Sequence, residues 1–337
     1  MTAQATEPPG AHADLLAAVR RRLGSGVSVA NVAIPTLGGI NRTILFDVVD
    51  GRHVRRYVSR QETYVDPGSP FLATGDQYRA MRIAFDHGLP VPEPIFEYDA
   101  ADGMGNGFVT AFAAGETMPK RIQTGAAFDA VRQRLVAEAA GILARIHALP
   151  LDSFDFLSRR ADSIDTLTAH RDLYDSYRQP RPAIEAGFRW LERNRPPAAD
   201  RAFLHGDFRL GNLMVDAARG ISGVLDWECA HLGSPSEDLG WFCTRSWRFA
   251  GPDRPAAGLA SRQDLLDAYR AAGGRSYDAD EIRYWEVFGL VRFAVLNMMQ
   301  NHGHVTGQRR GLVYAACGRN TALVEYDLLM TLAGHYD

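Results

Sequence analysis

The stretch FLHGDFRLGNLMVDAARGISGVLDWE, residues 203–228, decides how the rest of the chain is read. Two short apolar runs, NLMV and ISGVL, flank a turn at Asp216 to Gly220, which predicts a β-hairpin inside an otherwise helical region. Polar residues gather at its two ends: His205, Asp207 and Asn212 before the first strand, and Asp226 after the second. A hairpin returns its ends to one place, so Asp207, Asn212 and Asp226 can converge. Two carboxylates and a carboxamide suit Mg²⁺, which takes one or two carboxylates and fills its shell with water and phosphate. A carboxylate outside the metal shell can accept a hydroxyl proton as general base. Together these are the parts that phosphoryl transfer requires.

Toward the N-terminus, Leu15, Leu16, Val19 and Leu23 recur at helical spacing, which predicts an amphipathic helix with its arginines in solvent. From Val27 to about Arg60 the texture is β-rich, in VSVANVAI, TILFDVV and HVRRYVS, and Asp50-Gly51 between two of these runs is a hairpin signal. Helical periodicity returns between Phe71 and His87, is stopped by Pro90, Pro92 and Pro94, and gives way to PIFEYD and GFVTAFA. Beyond Gly115 the pattern is helical: VRQRLVAEAAGILARIHAL, then Leu167 to Tyr177, Ile184 to Glu192, Arg262 to Ala271 and Asp280 to Met299. The expectation is an α+β chain. It comprises a flexible tail (1–12), a small lobe with an antiparallel β-sheet and one inserted helix (13–115), and a mostly helical lobe carrying the hairpin (116–337).

Composition narrows the classes. The 337 residues hold 46% hydrophobic and 23% charged side chains, which excludes a disordered chain and a disulfide mini-protein. Thirty-seven basic against 40 acidic side chains give a net charge of -3, so there is no global attraction to nucleic acid or an anionic membrane. Cys229, Cys243 and Cys317 fit neither a disulfide framework nor a zinc site and read as free thiols. The first residues, MTAQATEPPGAHAD, lack the pattern of a signal peptide, and Val287 to Met299 is too short for a membrane span and is broken by Arg292 and Asn297. A cytoplasmic location is expected, with no membrane or nucleic-acid partner.

His205-Gly206-Asp207, then Asn212, then Asp226-Trp227-Glu228 resemble the catalytic loop and metal-binding motif of the aminoglycoside phosphotransferase (APH) family, whose fold is protein-kinase-like and bilobal. The likeness extends through LGGINRTILF, PVPEPIFEYD, AGETM, HLGSPSEDLGW, RSWRF and SRQDLLDAY, and is nearest to the phosphotransferases associated with acyl-CoA dehydrogenases. It implies Asp207 as catalytic base, Asn212 and Asp226 as Mg²⁺ ligands, and His205 in support of the loop. It implies further that Asp238 in SEDLGW ties that loop down, and that Gly38-Gly39 covers the phosphates of ATP with backbone N–H groups. The lysine or arginine that the family places on a strand to hold the phosphates corresponds to Arg60 in YVSR. Gln77 stands where the family has a glutamate partner for it. An Arg–Gln contact lacks the charge of an Arg–Glu pair and would give a looser clamp.

The expected acceptor, as the resemblance implies, is a small-molecule hydroxyl that receives the γ-phosphoryl group of ATP. An antibiotic kinase binding a polycation needs an acidic substrate lobe, yet residues 158–195 hold eight arginines against six acids. That balance leaves room for a neutral or anionic compound, and the resemblance points to hydroxyacyl-CoA thioesters. Arg245 and Arg248 in CTRSWRF are candidates to meet coenzyme A phosphates. The alternatives are a kinase of another alcohol, such as an aminoglycoside, choline, homoserine or a sugar, and a non-catalytic, pseudokinase-like nucleotide-binding module.

Overall fold

A computed structural model describes residues 11–35, 41–63, 69–197 and 201–336. The chain divides into two compact units, one formed by Met1–Ala114 with Ser222–Ala230, the other by Gly115–Ile221 with His231–Asp337. Residues 1–10 of the expected tail and the Gly38-Gly39 turn lie outside the described residues.

The first unit is built on a five-stranded antiparallel sheet. Its elements in chain order are α1 (Ala11–Leu23), β1 (Ser28–Ala33), β2 (Arg42–Asp50), β3 (His53–Gln61), α2 (Thr74–Asp86), β4 (Pro94–Glu97) and β5 (Gly107–Ala111). The strand order is β1-β2-β3-β5-β4. Asp50 pairs with His53 at the tip of the β2–β3 hairpin, where Gly51 takes φ +57°, a left-handed conformation that glycine adopts without strain. Alternation along β2 buries Ile44, Phe46 and Val48 on one face, where they pack with Leu15 and Val19 of α1 and with Phe96 and Val109. The α1 arginines do more than face solvent. Arg22 lies 2.7 Å from Asp99 and 3.2 Å from Asp102, a carboxylate whose side chain is fully buried.

The second unit is mostly helical. It begins with α3 (Pro119–Thr124), α4 (Asp129–Arg132), α5 (Leu135–His147), α6 (Ala161–Ser176) and α7 (Pro182–Arg193). A β island follows, made of β6 (Ala202–Leu204), β7 (Leu213–Asp216), the start of β8 (Gly220–Val224) and β9 (His231–Gly233). The unit ends with α8 (Pro235–Cys243), α9 (Arg262–Ala271), α10 (Ala279–Val305) and α11 (Leu312–Leu332). The expected turn between β7 and β8 is closed by Asp216, whose carboxylate accepts the N–H groups of Ala218 and Arg219, both at 2.9 Å. Helix α10 runs through the core: Val287, Phe288, Val291 and Val295 pack against Ile184 and Phe188 of α7 and Leu328 of α11. The single helix expected over residues 131–149 is instead α4 and α5, interrupted at Gln133-Arg134.

Helix α8 escapes periodicity analysis because all nine of its residues are buried, so it has no polar face. Its crossing with α10 is tight. A Cβ on Gly240 would come within 2.3 Å of the Trp285 Cβ, so only glycine fits there.

Candidate functional site

In the second unit the loop His205-Gly206-Asp207 leaves β6 and is clamped from beneath by Asp238 on α8. The Asp238 Oδ2 accepts the His205 N–H at 2.8 Å, and Oδ1 accepts the Gly206 N–H at 2.9 Å. Gly206 takes φ +75°, which turns two successive N–H groups toward one carboxylate. Its carbonyl accepts from the Arg292 guanidinium at 2.5 Å, and that guanidinium stacks 4.6 Å from the Trp241 ring. Asp238 is fully buried; burial alone would raise its pKa, but hydrogen bonding and charge from His147 and the N–H of His205 hold it below the usual carboxylate value. His147 Nε2 lies 3.2 Å from Asp238, and its Nδ1 lies 2.8 Å from the Tyr269 hydroxyl. The His205 Nδ1 accepts the Asp207 N–H at 3.1 Å, which places the ring proton on Nε2. His205 is therefore a buried brace for the loop.

The Asp207 carboxylate is held on both oxygens. Oδ1 accepts from Trp241 Nε1 at 2.9 Å and from Arg209 Nε at 3.0 Å, while Oδ2 accepts from Asn212 Nδ2 at 2.6 Å. Asn212 Nδ2 also reaches the Asp207 carbonyl at 2.9 Å. With its nitrogen so engaged, the Asn212 amide presents its oxygen as the atom suited to a hard cation. The Arg209 guanidinium stacks 4.8 Å from the Trp247 ring, so its position is set by an aromatic surface as well as by charge. A carboxylate with its rotamer fixed by three donors can orient and deprotonate a hydroxyl.

In the first unit Arg60 sits near the end of β3, the middle strand of the sheet, paired with Thr43 and Phe108. Its guanidinium donates to Asp226 Oδ1 at 2.8 Å and lies 3.6 Å from Glu228 Oε2. Burial would lower its pKa, and the charges of Asp226 and Glu228 outweigh that and raise it. Asp226 itself takes φ +67°, a left-handed conformation unusual for a side-chain-bearing residue and of the kind found where a site fixes a backbone turn. Gln77 does not bond to Arg60; its Nε2 donates to the Leu72 carbonyl at 2.8 Å, and the Leu72 N–H donates to the Glu228 carbonyl at 2.7 Å. The carboxylate expected on α2 is thus replaced by Glu228 from the Asp226-Trp227-Glu228 motif. One cation between two carboxylates leaves this cluster negative, so a polyanionic phosphate chain would need a further cation to settle beside it. Among the described residues no group of three or more His, Cys, Asp or Glu side chains could hold a metal by itself.

The structure corrects one substrate candidate. Arg248 is 2% exposed, donates to Glu286 at 2.9 Å and to the Cys243 carbonyl at 3.1 Å, and so serves the core; burial lowers its pKa, and a group so enclosed cannot greet a bulky anion. Arg245 is half-buried, its guanidinium 4.7 Å from the Tyr336 ring, and its Nε lacks a hydrogen-bond partner.

Sequence reasoning missed the roles of Arg209, Arg292, His147, Tyr269, Glu228 and Trp241. Arg209 and Glu228 lie inside the quoted motif, two residues after an essential-looking aspartate in each case; the others are brought to the loop only by tertiary packing.

A sequence profile described as "APH: Phosphotransferase enzyme family" matches residues 32–274. Acyl-CoA dehydrogenase family member 11 of Gallus gallus is 28% identical over 206 residues, 55% of this chain and 24% of that protein. The chain thus spans about a quarter of that relative's length. Among solved structures, a Ralstonia eutropha protein assigned to the aminoglycoside phosphotransferases superposes with TM-score 0.69 at 22% identity, covering 95% of this chain and 97% of the other. Spectinomycin phosphotransferase, solved with ADP and spectinomycin, superposes with TM-score 0.65 at 12% identity over 95% and 98% of the two chains. The likeness to these structures shows a kinase-like fold. Among the described residues no helix is long and apolar enough to cross a membrane.

Proposed function

Because the chain belongs to the phosphotransferase enzyme family, and is therefore a small-molecule kinase acting on an alcohol group, we propose that it moves the γ-phosphoryl group of ATP to a hydroxyl with Asp207 as the general base. The observation that carries this reading is the Asp207 carboxylate, fixed by Trp241, Arg209 and Asn212 on a loop whose backbone is clamped by Asp238. Positioning and electrostatics supply most of the rate in this chemistry, and a carboxylate that cannot rotate away from the hydroxyl serves both. Asp207 orients the acceptor oxygen and takes its proton as that oxygen bonds to the γ-phosphorus, whose bond to the β–γ bridging oxygen breaks to release ADP. Arg60 holds the phosphate chain, with Asp226 and Glu228 keeping its guanidinium charged and in place. Asn212 and Asp226 would hold Mg²⁺, which neutralises phosphate charge when bound.

We propose further that the acceptor is a hydroxyacyl-CoA thioester. Support comes from the excess of arginine over acid in residues 158–195, which disfavours a polycation, and from Arg245, whose Nε is buried without a hydrogen-bond partner. A relative named as an acyl-CoA dehydrogenase points to the same chemistry. The test is incubation with Mg-ATP and a panel of 3- and 4-hydroxyacyl-CoA compounds, aminoglycosides, choline, ethanolamine, homoserine and sugars, read by mass spectrometry. Phosphorylation of the CoA thioesters supports the assignment. Turnover confined to another alcohol overturns the acceptor and leaves the kinase reading intact.

A further inference from the structure

On α8, Glu237 precedes the aspartate that clamps the loop, yet it faces elsewhere. It is 2% exposed and lines a cavity of about 260 Å³ whose wall also includes Asp162, Thr166, Glu281, Tyr284 and Trp285. His231 Nε2 pairs with Glu237 Oε1 at 3.2 Å, whereas Oε2 receives no hydrogen bond. Two more buried groups in the same wall lack partners: Trp285 Nε1, a donor, and Thr166 Oγ1, which can donate or accept. Each belongs to a residue no more than 9% exposed. Native structures leave few such atoms, and their concentration at one cavity marks a place where a ligand completes the hydrogen bonding.

We propose that this cavity binds a neutral, hydroxyl-rich small molecule, a polyol of monosaccharide size or less. The unsatisfied atoms define what must enter: an O–H donor for Glu237 Oε2 and an acceptor oxygen for the Trp285 indole, which a vicinal diol provides. The surrounding charges are already matched. Asp162 pairs with Arg160 at 2.7 Å, Asp165 with Arg195 at 2.8 Å, and Glu237 with His231. Glu281 accepts from the Ser236 hydroxyl at 2.6 Å, and its charge is balanced in the wall by Arg201, which donates to the Ser163 carbonyl. The cavity therefore offers hydrogen bonds without net charge, and an anion or an ammonium would enter uncompensated. Its volume far exceeds the roughly 30 Å³ of one water molecule, so it has room for an organic molecule.

The β6–β9 ladder pairs Leu204 with His231 and Ala202 with Gly233. The Asp207 loop leaves the Leu204 end, whereas Gly233 and Ser234 line the cavity at the other. This is a second site, separate from the hydroxyl acceptor's.

The test uses the full chain labelled with ¹⁵N-tryptophan, whose five indole N–H signals include that of Trp285, identified by Trp285→Phe. Glycerol, ribose and myo-inositol are titrated, with ethanolamine and inorganic phosphate as charged controls. Thermal stability alone would mislead, because excluded polyols stabilise most proteins. The expected result is saturable movement of the Trp285 signal with a polyol, weakened at least about tenfold in Glu237→Gln and in Thr166→Val. Mg-ATP should still shift the melting temperature of both variants. No saturable response to any polyol, which means water alone fills the cavity, overturns the proposal. So does a response only to ethanolamine or phosphate, or an affinity unchanged in the variants. Should Glu237→Gln fail to fold, Thr166→Val decides.

Discussion

The indole N–H of Trp241 donates to Oδ1 of Asp207 at 2.9 Å, so a residue 34 positions away sets the direction of the proposed base. The same oxygen takes the Arg209 Nε–H, while Oδ2 takes Asn212. The carboxylate is thereby fixed in rotation, and its orientation depends on how α8 is seated.

Trp241→Phe keeps the ring and deletes the donor. A hydrogen bond to a charged group contributes about 1.5–3 kcal/mol, so kcat should fall by about ten- to a hundredfold. KM for ATP should hold steady, because the indole touches the base and not the nucleotide cluster. Steady-state kinetics checks this, and a variant with wild-type kcat would show that the bond does not orient the base.

Arg60→Met should weaken ATP binding by about ten- to a hundredfold in calorimetry, and Arg60→Lys by less, because lysine keeps the charge and loses the planar fork. Equal affinities across the three proteins would remove Arg60 from phosphate binding.

Stability should decline at alkaline pH through His231. Burial alone would lower its pKa, but the facing Glu237 charge and hydrogen bond outweigh burial and raise it to about 9. A folded-state pKa above the unfolded value of about 6.5 gives stabilisation that is full below that pH and is lost as pH rises through about 9. His231→Gln should flatten the wild-type decline between these pH values in urea-unfolding curves. An identical slope in both proteins would contradict the pairing.

Arg248→Ala should act on stability. It removes one of two guanidinium partners of the buried Glu286 and is expected to cost about 3 kcal/mol, less than a fully stranded carboxylate because Arg262 stays 3.1 Å away. KM for the acceptor should not move. A raised acceptor KM at wild-type stability would restore Arg248 as a substrate contact.

Much of the fold was legible because local signals agreed. The alternating runs of β2 and β3 with Asp50-Gly51 between them, and the apolar runs beside Asp216 to Gly220, carry their own periodicity and turn chemistry. Helix α8 was invisible, since burial on every side erases the polar face on which a helical pattern depends. Residues that act through sequence neighbours, such as Asp207 and Asn212, stand out in a motif. His147, Tyr269 and Arg292 reach the loop by tertiary packing alone, and no local spacing reveals them. Arg248 misled for the related reason that an arginine cluster looks alike in sequence whether it faces solvent or a buried glutamate. The Gln77 position shows the same limit: the missing carboxylate is supplied by Glu228, far away in sequence.

The most direct test of the central claim compares wild type with Asp207→Asn, measuring Mg-ATP affinity by calorimetry and phosphoryl transfer to the acceptor found in the panel. Asparagine preserves the size of the side chain and removes its basicity. The account predicts nucleotide affinity close to wild type and a kcat lower by about 10²- to 10⁴-fold, the usual contribution of a general base. Transfer at the wild-type rate in Asp207→Asn would contradict it.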